Sequence, residues 1–130
     1  AQNERSGDTE VKVGNLSPKR DFADVGDVVR AYRLMVAQGR PGEVYNVCSG
    51  VAVSIDTLAQ LLVERATLPM QLEPDPDLMR PVDVPILLGD FPHLREAPGW
   101  TPSIALEATL TDLRADCRSR AEAERLRPSI

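Results

Sequence analysis

Two stripes of helical period with a strand-like run between them constrain this chain more than anything else in it. Val25, Val28, Val29, Tyr32, Met35 and Val36 recur at the spacing of one face of an amphipathic helix. Asp24 is a fitting N-cap, Asp27 adds negative charge to the first turn, and Gly39 followed by Pro41 supplies the stop. Residues 43–48 (Glu-Val-Tyr-Asn-Val-Cys) are rich in strand formers and bounded by Pro41-Gly42 and Ser49-Gly50, which reads as a buried strand. A second stripe, Ile55, Leu58, Ala59, Leu62, Val63 and Ala66, follows an N-cap at Ser54 and an acidic first turn at Asp56, and should end near Leu68 and Pro69. Strand and helix in alternation are the signature of α/β architecture.

The flanks extend the pattern. Residues 1–9 are polar without periodicity, and Val11 and Val13 alternate around Lys12 as a short strand ending at Gly14. A short extended piece, Met70 to Leu72, leads into the proline-punctuated stretch 73–85, which disfavours a regular helix. Long ordered loops of this kind are often functional. Asp90 can cap a short helix that stops at Pro98-Gly99, and Ser103 can open a last helix with Leu106, Leu110, Leu113 and Cys117 on one face. From Arg118 the stripe is lost, leaving a solvated helical extension or a frayed tail. Two or three short strands make a poor sheet by themselves, so the chain is expected to need a larger partner.

Composition narrows the partners. The net charge of −5, with basic residues dispersed among acidic ones, and the 4% aromatic content argue against a nucleic-acid surface. No apolar run approaches the roughly 20 residues of a membrane span, and the polar N-terminal segment is unlike a signal peptide. Cys48 and Cys117 form no CxxC pair and there is one histidine, so zinc has too few ligands, and a reduced, cytoplasmic chain is the default. Both cysteines read as small core residues, Trp100 as a hydrophobic anchor, Tyr32 and Tyr45 as packing residues, and His93 as a surface residue.

No nucleophile has a base in its sequence neighbourhood, and neither a phosphate loop nor a G-x-G-x-x-G turn is present. Two arginines stand in loop-like sequence, Arg20 in SPKRDFADV and Arg80 in LMRPVDVP. A pyrophosphate calls for cationic, bidentate donors, which arginine supplies better than lysine. Pro81 holds Arg80 extended, and Asp83 could accept hydrogen bonds from a sugar or ribose hydroxyl. By residue type alone, a solvated charge or surface ion pair is the simpler reading of each arginine.

Three motifs in order, R-D-F at Arg20, V-Y-N-V-C-S-G ending at Gly50 and R-P-V-D-V-P from Arg80, resemble the C-terminal half of extended short-chain dehydrogenases of the NAD-dependent epimerase/dehydratase family. The likeness is strongest to the GDP-mannose 4,6-dehydratase and GDP-6-deoxy-4-keto-mannose reductase branch. It implies an α/β fold: the last sheet strands of an extended Rossmann-type enzyme plus a small substrate-binding region over residues 1–118, with a charged tail at 119–130 and the N-terminal cofactor domain absent. It implies that Arg20 and Arg80 contact a substrate pyrophosphate, that Asp83 faces the nucleotide, and that Gly14-Asn15 lies beside the same pocket. Phe22 replaces the tyrosine usual in UDP-sugar epimerases, which favours a GDP-sugar. The family's G-x-x-G-x-x-G loop and Tyr-x-x-x-Lys pair are not in this sequence, so NAD or NADP would be bound elsewhere in a full-length enzyme, with none on this chain alone, and that enzyme would be a homo-oligomer. Dehydratase and 4-keto reductase remain open. So do a fragment of a nucleotide-sugar 4-epimerase and a non-catalytic nucleotide-binding module.

Overall fold

The computed structural model describes residues 1–81 and 84–126. Its elements run α1 (Gln2–Ser6), β1 (Glu10–Val13), β2 (Lys19–Asp21), α2 (Val25–Gln38), β3 (Ala52–Ser54), α3 (Ile55–Glu64), β4 (Gln71–Pro74), a 3-10 turn (Pro76–Leu78), β5 (Ile86–Leu87), α4 (Pro92–Glu96) and α5 (Leu106–Arg125). Both caps read from the sequence form: Asp24 accepts from the Gly26 amide at 2.7 Å and Ser54 from the Thr57 amide at 2.9 Å. The strands make two small sheets. β1 and β4 pair in parallel, and β2 lies between β3, antiparallel to it, and β5, parallel to it. Among the described residues no helix is long and apolar enough to cross a membrane.

The core forms around one tryptophan. Trp100, Leu94 and Ala31 are fully buried, with Leu34, Met35, Tyr45, Val47 and Phe91 packed against them. Phe91 meets the indole edge-on at 5.5 Å, and the Arg30 guanidinium lies over its face at 5.5 Å. The inward side of α2 is therefore Asp27, Ala31, Leu34 and Met35. Of the stripe expected to be buried, Met35 packs on the core and Val28 is half-buried, while Val25, Val36 and Tyr32 face outward, 76%, 90% and 56% exposed. Offsets of 4, 7 and 11 hold Val25, Val29, Tyr32 and Val36 on the side opposite Ala31 and Leu34, so the helix is apolar on two faces and only one is covered.

Residues 43–48 depart from expectation in the same way. No strand among the described residues lies beside them, so no ladder forms, and Val44 is 81% exposed while Tyr45, Val47 and Cys48 anchor the run to the core. The chain exposes 9177 Å², about a third more than the roughly 6,800 Å² of a folded monomer of its mass. The outward valines of α2 and the exposed Val44 contribute to it.

Smaller departures have local causes. Gln2–Ser6 is helical despite its lack of periodicity, tied down through Glu4, which accepts from the Thr67 amide at 2.8 Å and from Arg118 Nε at 2.9 Å. α3 ends at Glu64 because Arg65 folds back, its Nη1 donating to the Leu61 carbonyl at 2.9 Å. Phe91 rather than Asp90 occupies the N-cap of α4. Ser103 does not open α5, because its amide and hydroxyl both donate to Asp27, and Ala105 stands at the cap. The helix runs past Arg118 to Arg125, as a solvated extension, and Cys117 on it is exposed rather than buried, since Leu110 is the residue of that face that reaches the core.

Asp27 is 1% exposed and joins α2 to the segment ahead of α5. It accepts from the Ser103 and Ile104 amides at 2.8 and 2.9 Å, from the Ser103 hydroxyl and from Arg30, while its own carbonyl receives the Trp100 indole N–H at 3.0 Å. Burial raises its pKa, but Arg30 and these donors outweigh that and hold it far below the usual range. Glu4 is likewise depressed, chiefly by Arg118. Groups depressed on folding contribute stability above their unfolded pKa of about 4 and lose it as pH falls toward the folded values. The unfolding free energy is therefore expected to decline steadily below about pH 4 when followed by circular dichroism. A curve flat down to strongly acidic pH would contradict this.

Candidate substrate-binding site

Arg20 lies on a strand, not in the loop its sequence suggested. β2 is held on both sides, Arg20 pairing with Val53 of β3 and Leu87 of β5, and its Nη1 donates to the Lys19 carbonyl at 2.7 Å. Arg80 is exposed in irregular chain just beyond the 3-10 turn. The loop it begins returns to β2, where the Lys19 amide donates to the Pro85 carbonyl at 2.8 Å. Five residues span at most about 18 Å, which bounds the distance from Arg80 to Pro85. Asp83 lies outside the described residues.

Asn15 follows Gly14, which lies against the same 3-10 turn. Its Oδ1 accepts from the Ser17 amide at 2.9 Å, a local turn that fixes the chain leading into β2. Gly14 before it lies so close to the turn that a Cβ there would be 2.3 Å from the Leu78 carbonyl oxygen. The fold thus sets Gly14 against the 3-10 turn that precedes Arg80, and Arg20 on the strand that Pro85 and Leu87 meet. It does not enclose them in one cavity: the apolar cavity of ≈300 Å³ bounded by Val13, Leu62, Leu72 and Leu113 holds none of these residues, and the ≈470 Å³ groove beside Phe22 and Ser49 holds neither arginine.

The residue that sequence reading missed is Asp21. Its carboxylate accepts from the Ser49 amide at 2.7 Å, the Ser49 hydroxyl, the Gly50 amide at 2.9 Å and the Gly89 amide at 3.2 Å. Burial raises its pKa, and the bonds from Ser49, Gly50 and Gly89 bring the net value below the ordinary one. R-D-F, C-S-G and L-G-D each carry an aspartate or glycine in the sequence, but nothing in their spacing says that they converge. Burial and the Asp21 charge push the Cys48 thiol upward, which leaves it inert. His93 is a surface residue within 3.9 Å of Glu43, and Trp100 is the expected anchor.

These groups can bind and orient an anion. They do not form a dinucleotide cradle: the β2 to α2 connection is Phe22-Ala23-Asp24, without glycine and capped by a carboxylate, and the positive-φ glycines Gly7, Gly42, Gly50 and Gly99 stand singly in turns. Among the described residues no cluster of three or more His, Cys, Asp or Glu side chains could hold a metal ion.

Comparison with known proteins places this arrangement. The family model described as GDP-mannose 4,6 dehydratase matches residues 1–113. A GDP-6-deoxy-D-mannose reductase of Pseudomonas aeruginosa is 35% identical over 114 residues, 88% of this chain and 38% of the relative. A GDP-mannose 4,6-dehydratase of Sinorhizobium fredii is 28% identical, the match covering 68% of this chain and 30% of the relative. Among solved structures, RMD from P. aeruginosa complexed with NADPH superposes with a TM-score of 0.82 at 32% identity over 91% of this chain and 39% of its own. The UDP-glucose 4-epimerase of Thermotoga maritima with UDP-glucose follows at 0.73 and 28%, over 92% of this chain and 38% of its own. The chain spans 30–39% of the length of these relatives, in the fold of the C-terminal part of extended Rossmann-type short-chain dehydrogenases. It belongs to the GDP-mannose 4,6-dehydratase family.

Proposed function

We propose that this chain is the sugar-nucleotide-binding part of an NAD(P)-dependent GDP-sugar 4,6-dehydratase or 4-keto reductase. Arg20 and Arg80 grip the substrate pyrophosphate, Asp83 faces the nucleotide, and Asn15 lies at the rim. The observation that carries this reading is the return of the Arg80 loop onto the strand of Arg20 through Lys19 and Pro85. Two guanidiniums on converging segments match the bidentate needs of a diphosphate. Hydride chemistry belongs to a cofactor-binding portion of the whole enzyme, and the NADPH and NAD complexes among the structural neighbours fit that division. The outward stripe of α2 and the unpaired edge at Val44 are the faces on which that portion would pack.

Titrating the chain with GDP-mannose and UDP-glucose tests the reading. GDP-mannose is expected to bind about tenfold more tightly or better, a difference of about 1.4 kcal/mol. Equal or reversed preference would move the assignment to a UDP-sugar enzyme such as a 4-epimerase. Absence of saturable binding by either would overturn it.

A further inference from the structure

β5 is only Ile86 and Leu87, too short for its ladder to fix a loop. It is pinned to β2 at both ends. Before it, the Lys19 amide holds the Pro85 carbonyl, and after it the Gly89 amide reaches the Asp21 carboxylate. The approach of Gly89 depends on having no side chain, since a Cβ there would lie 2.5 Å from the Cys48 sulfur. The same carboxylate holds the Ser49-Gly50 turn, so one side chain next to Arg20 joins three stretches that are distant in sequence.

We propose that Asp21 is the positioning residue of the substrate site: by clamping Gly89 and Ser49-Gly50 to β2 it fixes the Arg80 loop relative to Arg20, so that both guanidiniums address one diphosphate. This rests on the reading of the two arginines as pyrophosphate donors. In this reading Asp21 is spent on the Ser49, Gly50 and Gly89 amides and the Ser49 hydroxyl and touches no substrate. Its effect passes through the arginines and so bears on the phosphates rather than the base.

The test compares GDP-mannose with guanosine, which lacks the diphosphate, on the chain carrying Asp21→Asn, with folding checked by circular dichroism. The asparagine keeps the size of the side chain but turns an amide N–H₂ toward donors. Affinity for GDP-mannose should fall about tenfold or more, as expected for loss of charge-assisted contacts, while that for guanosine stays unchanged. In an Arg20→Ala background, Asp21→Asn should cost less than about twofold more, because the two act as a unit. Gly89→Ala, which breaks the clasp from its other end, should reproduce the GDP-mannose loss, and it carries the test if Asp21→Asn does not fold. Unchanged GDP-mannose affinity, an equal loss for guanosine, or full additivity with Arg20→Ala would overturn the positioning role. An Arg20→Ala chain that binds GDP-mannose like the wild type would instead overturn the reading beneath it.

Discussion

Replacing Asp27 with alanine is expected to unfold the chain at neutral pH. The substitution removes the acceptor of four donor groups at once, the Ser103 and Ile104 amides, the Ser103 hydroxyl and the Arg30 guanidinium, and leaves a hole where the carboxylate was itself 1% exposed. Hydrogen bonds to a charged group are worth about 1.5–3 kcal/mol each, so losing several at once costs about 3–5 kcal/mol even where water replaces some of them. Ordinary domains are stable by only about 5–15 kcal/mol, and a chain with this much uncovered surface starts at the low end. Asp27→Asn, which keeps one acceptor oxygen, should lose less, about 1–3 kcal/mol. Urea titration followed by circular dichroism would show the alanine variant without a native baseline. A folded Asp27→Ala chain that lost under about 1 kcal/mol would remove Asp27 from its place as the link between α2 and the start of α5.

Asp27 also shows where sequence reasoning stopped. Its position in the first turn of a helix was legible, and a favourable surface charge is the ordinary meaning of that position. Its burial depends on Ser103, which lies far along the chain and was read as a cap for its own helix. The caps at Asp24 and Ser54, the strand at Val11 and the irregular stretch after Pro74 were legible because each follows from residues within one turn. Which face of α2 is covered was not. Periodicity reports that Val25, Val29, Tyr32 and Val36 share a stripe, and it is silent on whether the surface meeting that stripe lies within the same chain. The run at 43–48 failed for a related reason, since strand-forming residues cannot make a ladder without a neighbour. At the site, Arg20 and Arg80 could be singled out by chemistry and by family likeness. The bond from Gly89 to the Asp21 carboxylate, by contrast, exists only in the folded chain.

Removing both arginines should abolish GDP-mannose binding. Each charge-assisted contact is worth about 1.5–3 kcal/mol, so the pair amounts to about 3–6 kcal/mol, or roughly two to four decades of affinity. Arg20→Lys and Arg80→Lys separate charge from geometry: an ammonium keeps the attraction and loses the planar fork, so each lysine variant should fall between wild type and alanine. Arg120, paired with Asp116 at 2.8 Å on the exposed face of α5, is the matched control, and Arg120→Ala should leave the titration unchanged. Because part of the attraction is electrostatic and exposed, wild-type affinity should weaken as salt rises, and the doubly substituted chain should lose that dependence. A double variant that binds GDP-mannose with wild-type affinity and wild-type salt dependence would mean that neither Arg20 nor Arg80 grips the diphosphate.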